Sequence, residues 1–145
     1  ISSTFWSERI GPTAALKTLE IMQKEKSWQI ITNQGKKVVD KWSEMAKKNN
    51  LKIKHLGIPS LASFYIESKN FLKYKTFITQ EMLKQDFLAS NTIYTCINHA
   101  DQIIDLYSEK MNKIFKIISE FEHSKKDISS LLETEICATS FKRLN

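Results

Sequence analysis

The chain has 145 residues, 41% of them apolar, with 22 Lys and Arg against 16 Asp and Glu for a formal net charge of +6. A domain of that size buries about 68–70% of its unfolded surface; it is too apolar for intrinsic disorder and has no run long enough to cross a bilayer. One soluble domain is expected. Two cysteines, Cys96 and Cys137, cannot build a disulfide scaffold or a zinc pattern, so a reducing, cytoplasmic setting is predicted. The first residues, Ile1-Ser2-Ser3-Thr4-Phe5-Trp6, lack the basic and apolar regions of a signal peptide. They read as the start of a piece of a longer protein.

Gly11-Pro12 punctuates the start, and Pro12 suits a first helical turn because its missing N–H would find no partner there. A helix is predicted from there to about Lys24, with Ala15, Leu16, Leu19 and Met22 spaced to pack one stripe inward. Ser27 stands where an N-cap belongs. Trp28, Ile31, Gly35, Val38, Trp42 and Met45 then recur three or four apart and predict a longer helix reaching about Asn49. From Leu51 the period changes to two, with Leu51, Ile53 and His55 alternating against Lys52 and Lys54. That is a strand. Gly57-Ile58-Pro59 predicts a turn, and Leu61 to Ile66 a second, largely buried strand completing a hairpin. Tyr74 to Gln85 reads as a helix, and Asn91 to Cys96 as a third strand from its β-branched and aromatic content. Asn98, with Asp101 three residues on, opens the longest helix, whose stripe of Ile103, Ile104, Tyr107, Met111, Ile114, Phe115, Ile118 and Phe121 faces the core. A short helix near Asp127 to Leu132 and an irregular tail follow. The order predicts an α+β layer: a small, mostly antiparallel sheet covered by helices.

The charge is not evenly spread. Nine lysines fall between residues 24 and 54 against three acids, Glu25, Asp40 and Glu44, which leaves the remainder of the chain neutral. Such a face is the electrostatic footprint of a nucleic-acid or acidic-protein binder. With 20 Lys and only 2 Arg it lacks the bidentate forks and stacking planes that base recognition rewards. A solvated helix face is the preferred reading, with a non-enzymatic binding module and a dimerisation domain as alternatives. His55, His99 and His123 stand too far apart for a helical metal site, and no nucleophile elbow, phosphate loop or dinucleotide fingerprint exists. No metal is expected and no self-sufficient active site. Ser2 to Arg9, rich in hydroxyls ahead of a helix, has the make-up of an anion-holding segment, with ordinary fraying of the chain's first residues the preferred reading.

Three segments carry a resemblance. Ser3-Thr4-Phe5-Trp6-Ser7-Glu8-Arg9-Ile10-Gly11-Pro12-Thr13-Ala14-Ala15-Leu16 resembles the opening of the C-terminal part of class III, pyridoxal-phosphate-dependent aminotransferases, in the branch similar to glutamate-1-semialdehyde aminomutase. Asn98-His99-Ala100-Asp101-Gln102-Ile103-Ile104 resembles that family's polar cap into its last long helix, and Thr139 to Asn145 a tail seen in some members. The resemblance spans the chain, its first motif being the most specific.

The resemblance implies the C-terminal small domain of a fold type I, homodimeric transferase that moves an amino group from a small-molecule donor to a carbonyl acceptor. It assigns the cofactor phosphate, held in the neighbouring subunit, to the hydroxyl of Thr4 and the backbone at Ser3; a compact hydroxyl and an oriented amide suit a phosphate dianion. The lysine that forms the Schiff base with pyridoxal phosphate lies upstream in the family, so the piece alone is expected to be inactive. Many members have Ser-Gly-Asn-Pro after the threonine, where this chain has Trp6-Ser7-Glu8-Arg9. Glu8 and Arg9 are candidates to recognise a substrate amine or carboxylate, with a helix-end salt bridge the preferred reading. The stretch between Asp86 and Asn98 is shorter than in the aminomutase proper. That points away from the tetrapyrrole pathway, towards a transaminase of a sugar or a small amino-carbonyl compound.

Overall fold

The computed structural model of the protein describes residues 8–124 and 126–138. Its elements in chain order are helices α1 (Ile10–Glu25) and α2 (Ser27–Lys48), strands β1 (Ile53–Ile58) and β2 (Leu61–Ile66), helix α3 (Phe71–Leu83), strand β3 (Thr92–Tyr94), helix α4 (Asp101–Ser124) and a 3₁₀ turn, Ile128–Leu131. The three strands form one antiparallel sheet in the order β1-β2-β3. The fold is α+β, as the element order predicts.

Two amphipathic helices make most of the core. α2 buries Val38, Trp42, Met45 and Ala46, and α4 buries Ile104, Tyr107, Met111, Ile114, Phe115 and Ile118, each set at the spacing of one helical face. Between them and the sheet lie Ala62, Phe64 and Ile66 of β2, alternating with the more exposed Leu61, Ser63 and Tyr65. The helices therefore cover one face of the sheet and leave the other open. Trp42 sits at the centre: its Nε1–H donates to Tyr107 Oη at 2.8 Å, and its ring meets Phe64 edge to face with centroids 4.8 Å apart. α3 closes the side with Tyr74, Phe77, Ile78 and Met82.

Helix α2 stops where Asn50 turns left-handed (φ 52), letting Leu51 N–H bond back to the Ala46 carbonyl at 2.8 Å. Leu51 then packs into the core beside the helix it has just left, which takes it out of the strand where alternation places it. The hairpin differs from expectation too. β1 runs on through Gly57 and Ile58, with Ile58 opposite Leu61, so the turn is only Pro59-Ser60. Gly57, at φ 86, bends the strand without ending it. Ser27 does not cap α2; the residue before it, left-handed Lys26, separates the two helices, and the Ser27 hydroxyl has no partner.

The largest departure is α1. Its predicted inward stripe of Ala15, Leu16, Leu19 and Met22 faces outward, and no residue of the helix is buried. Trp28, expected in the core, is also exposed, Ile31 is partly covered, and the stripe becomes buried only from Gly35 onward. Periodicity shows that a helix has an apolar face; it does not say where the covering surface is.

Candidate functional site

Ser3 and Thr4, which the resemblance assigns to the cofactor phosphate, lie outside the described residues, as do Thr139 to Asn145. The structure begins at Glu8, and there the chemistry is explicit. Glu8 Oε1 accepts from Ile10 N–H at 2.7 Å and Oε2 from Gly11 N–H at 3.1 Å. The carboxylate thus satisfies two of the free amides that open α1 and places negative charge at the positive end of the helix. The chain's own acid therefore occupies these first amides of α1. Arg9 is exposed and joins no ion pair among the described residues, so of the two substrate candidates it alone keeps its charged group free.

The histidines stay apart. His99 Nδ1 accepts from Cys96 N–H at 3.3 Å, and His123 Nε2 lies 3.2 Å from the Asn50 carbonyl, which it serves as a donor. His55 stacks on Trp42, with planes 8° apart and centroids 6.2 Å apart, and shares a 2.9 Å hydrogen bond with Ser43 Oγ. Burial holds its pKa below the usual 6.5, against a smaller upward pull from Asp40. No group of three or more His, Cys, Asp or Glu is placed to hold a metal among the described residues.

A network that sequence reading did not anticipate ties α3 to α4. Tyr74 Oη and Ser68 Oγ both donate to Glu122, the latter at 2.8 Å, and burial with this bond pushes the Tyr74 phenol up to about 12. It is a clamp held in its protonated form. Spacing gives no hint of it, because the partners lie 48 and 54 residues apart.

A cavity of about 250 Å³ opens between α2, β3 and α4, lined by Val38, Phe87, Ile93, Ile104 and Tyr107 with His99 at its edge. Its lining is largely apolar. The lysine-rich stretch is partly tied down: Lys37 pairs with Asp101 at 2.6 Å, Lys41 with Asp105 at 2.8 Å and Lys54 with Glu67 at 2.5 Å. Three of the nine lysines thus meet acids elsewhere in the chain, while Lys36, Lys47 and Lys48 join no ion pair among the described residues. No helix among the described residues is long and apolar enough to span a membrane.

Neither a family model nor a curated protein matches the sequence. A solved structure does: the FumI protein of Sphingopyxis sp. MTA144, described as a PLP internal aldimine form, superposes with a TM-score of 0.74 over 86% of this chain at 13% identity. The fold is shared. The match covers 30% of that protein's chain, so this chain corresponds to less than a third of its length.

Proposed function

We propose that the chain is the C-terminal small domain of a dimeric, cytoplasmic class III aminotransferase of the aminomutase-like branch, and that its complete polypeptide binds pyridoxal phosphate. The observation that carries this reading is the fold likeness, across nearly all of this chain, to part of a protein described with that cofactor. The opening motif from Ser3 to Leu16 supports it independently. Both cysteines are free thiols, which suits a reducing compartment.

On this reading Ser3 and Thr4 hold the phosphate of the neighbouring subunit's cofactor, which when bound supplies an electron sink for amino-group transfer. Glu8 fixes the direction in which α1 leaves that segment, by capping its first amides. Arg9, exposed at the start of the same helix, is the substrate-facing candidate, and an anionic group on the amino donor or acceptor is its natural partner.

The test uses the complete gene product. It is expected to bind pyridoxal phosphate with a bound-cofactor absorbance band, and Thr4→Ala is expected to weaken binding by about 1.5–3 kcal/mol, the range for a hydrogen bond to a charged group. A complete polypeptide that takes up no cofactor sinks the reading.

A further inference from the structure

Strand β1 is the outer strand of the sheet, and the register shows which of its backbone groups β2 uses. Glu67 N–H donates to the Lys52 carbonyl at 2.9 Å, so Lys52 and every second residue after it turn their amides and carbonyls towards β2. Phe64, opposite His55, gives its N–H to the Asn91 carbonyl on the far side of the sheet, as that alternation requires. Ile53 and His55 therefore turn their backbone groups outward, and these have no hydrogen-bond partner among the described residues. An open edge of this kind is a template for another strand.

One flank of α2 runs beside that edge. Ser43 Oγ lies 2.9 Å from His55 Nε2, and Lys36, Val39 and Asp40 line a cleft of about 140 Å³ with His55, Leu56 and Gly57. Lys36, Asp40, Ser43 and Lys47 fall three or four residues apart and share this flank. The opposite flank is neutralised, because Lys37 and Lys41 meet Asp101 and Asp105 of α4. On the β1 side, Lys36, Lys47 and the adjoining Lys52 join no ion pair among the described residues, and the acid among them, Asp40, joins none either. The flank keeps an excess of positive charge.

We propose that the groove between β1 and α2 binds an extended acidic segment of a partner protein, which joins the sheet as a further strand beside β1. Backbone pairing with Ile53 and His55 fixes its register, and Lys36, Lys47 and Lys52 set the preference for acid. The same lysines decide against a second copy, since pairing two β1 edges would bring both sets of ammonium groups together. Lys36 and Lys47 lie about 16 Å apart along α2 at the rise of a helix. Two side chains four residues apart on one face of an added strand are about 14 Å apart. Two acids at that spacing reach both lysines, and a hydroxyl between them faces Asp40 without repulsion. Neither the groove nor its charges depend on the cofactor.

Hydrogen exchange and fluorescence anisotropy on the complete gene product test this, with a labelled Glu-Val-Ser-Val-Glu peptide as the probe. The peptide is expected to slow exchange at the Ile53 and His55 amides and to bind more weakly as salt is raised. The double variant Lys36→Glu/Lys47→Glu is expected to lose about tenfold or more in affinity. A peptide N-methylated at its Glu and Ser amides, which cannot pair with the edge, is expected not to bind. Slow exchange of Ile53 and His55 in the peptide-free polypeptide overturns the proposal, because the edge is then already occupied by another part of the chain. So does the absence of binding at low salt, equal binding of a peptide with Lys in place of Glu or of the N-methylated peptide, and binding that leaves the two amides fast. Protection of the same amides by a mixed-sequence oligonucleotide assigns the face to nucleic acid and overturns it too.

Discussion

At the scale of single residues the core is organised by one indole. Trp42 is fully buried, and its N–H has the Tyr107 hydroxyl as hydrogen-bond acceptor. Burial in turn keeps the Tyr107 phenol protonated by pushing its pKa up. Tyr107→Phe keeps the ring volume and removes that acceptor, so it should cost about 1–3 kcal/mol, the desolvation penalty of an unpartnered donor. A lowered urea midpoint with unchanged slope is the expected signature, and an unchanged midpoint would show the bond to be dispensable. His55, stacked on the same indole, gives a pH handle. Its folded pKa lies below 6.5, so the unfolded chain takes up the proton first and acid favours unfolding. The contribution is complete above that ordinary value and is lost as pH falls through it towards the folded pKa. Stability measured by urea at about pH 7 and about pH 5 should fall between the two, and His55→Gln should flatten part of that fall. An identical pH slope in the variant would exclude His55 as a source.

At the scale of elements, the joint between α2 and the hairpin depends on a missing side chain. Gly35 lies inside a helix, where alanine would ordinarily gain about 1 kcal/mol. Here the added carbon would overlap the backbone carbonyl of Pro59, and backbone cannot swing aside as a flexible side chain would. Overpacking of that kind costs about 1–3 kcal/mol and more when main chain must move, so Gly35→Ala is expected to destabilise the protein and to loosen the hairpin end. A raised urea midpoint would show that the tip yields. The elements themselves were readable from the sequence: α2 and α4 from apolar residues at helical spacing, the hairpin from the change of period at Leu51. Their limits were less so. Gly57 looks like a turn residue, yet one left-handed residue can sit inside a strand when its neighbours still pair, and Ile58 pairs with Leu61.

At the scale of the whole molecule, what could not be read was which partner each apolar stripe meets. Leu16 and Leu19 in α1 have the same local pattern as Val38 and Trp42 in α2, and only the second pair is buried. The candidate site was legible to a similar degree: Glu8 was singled out, but its use as a cap on Ile10 and Gly11 depends on backbone geometry that residue types do not specify. The Tyr74–Glu122 clamp belongs to the same class of feature, since it exists only after distant segments meet. The Trp42–Tyr107 bond joins residues 65 positions apart, and it bears on how the chain matures as it leaves the ribosome. Until the last long helix emerges, the indole and the buried side of the sheet have nothing to close over them. A nascent chain stalled before about Ile104 holds half a core in water, so completion of the domain waits on its final third, and a truncation there should yield chaperone clients and aggregates in place of a smaller folded protein.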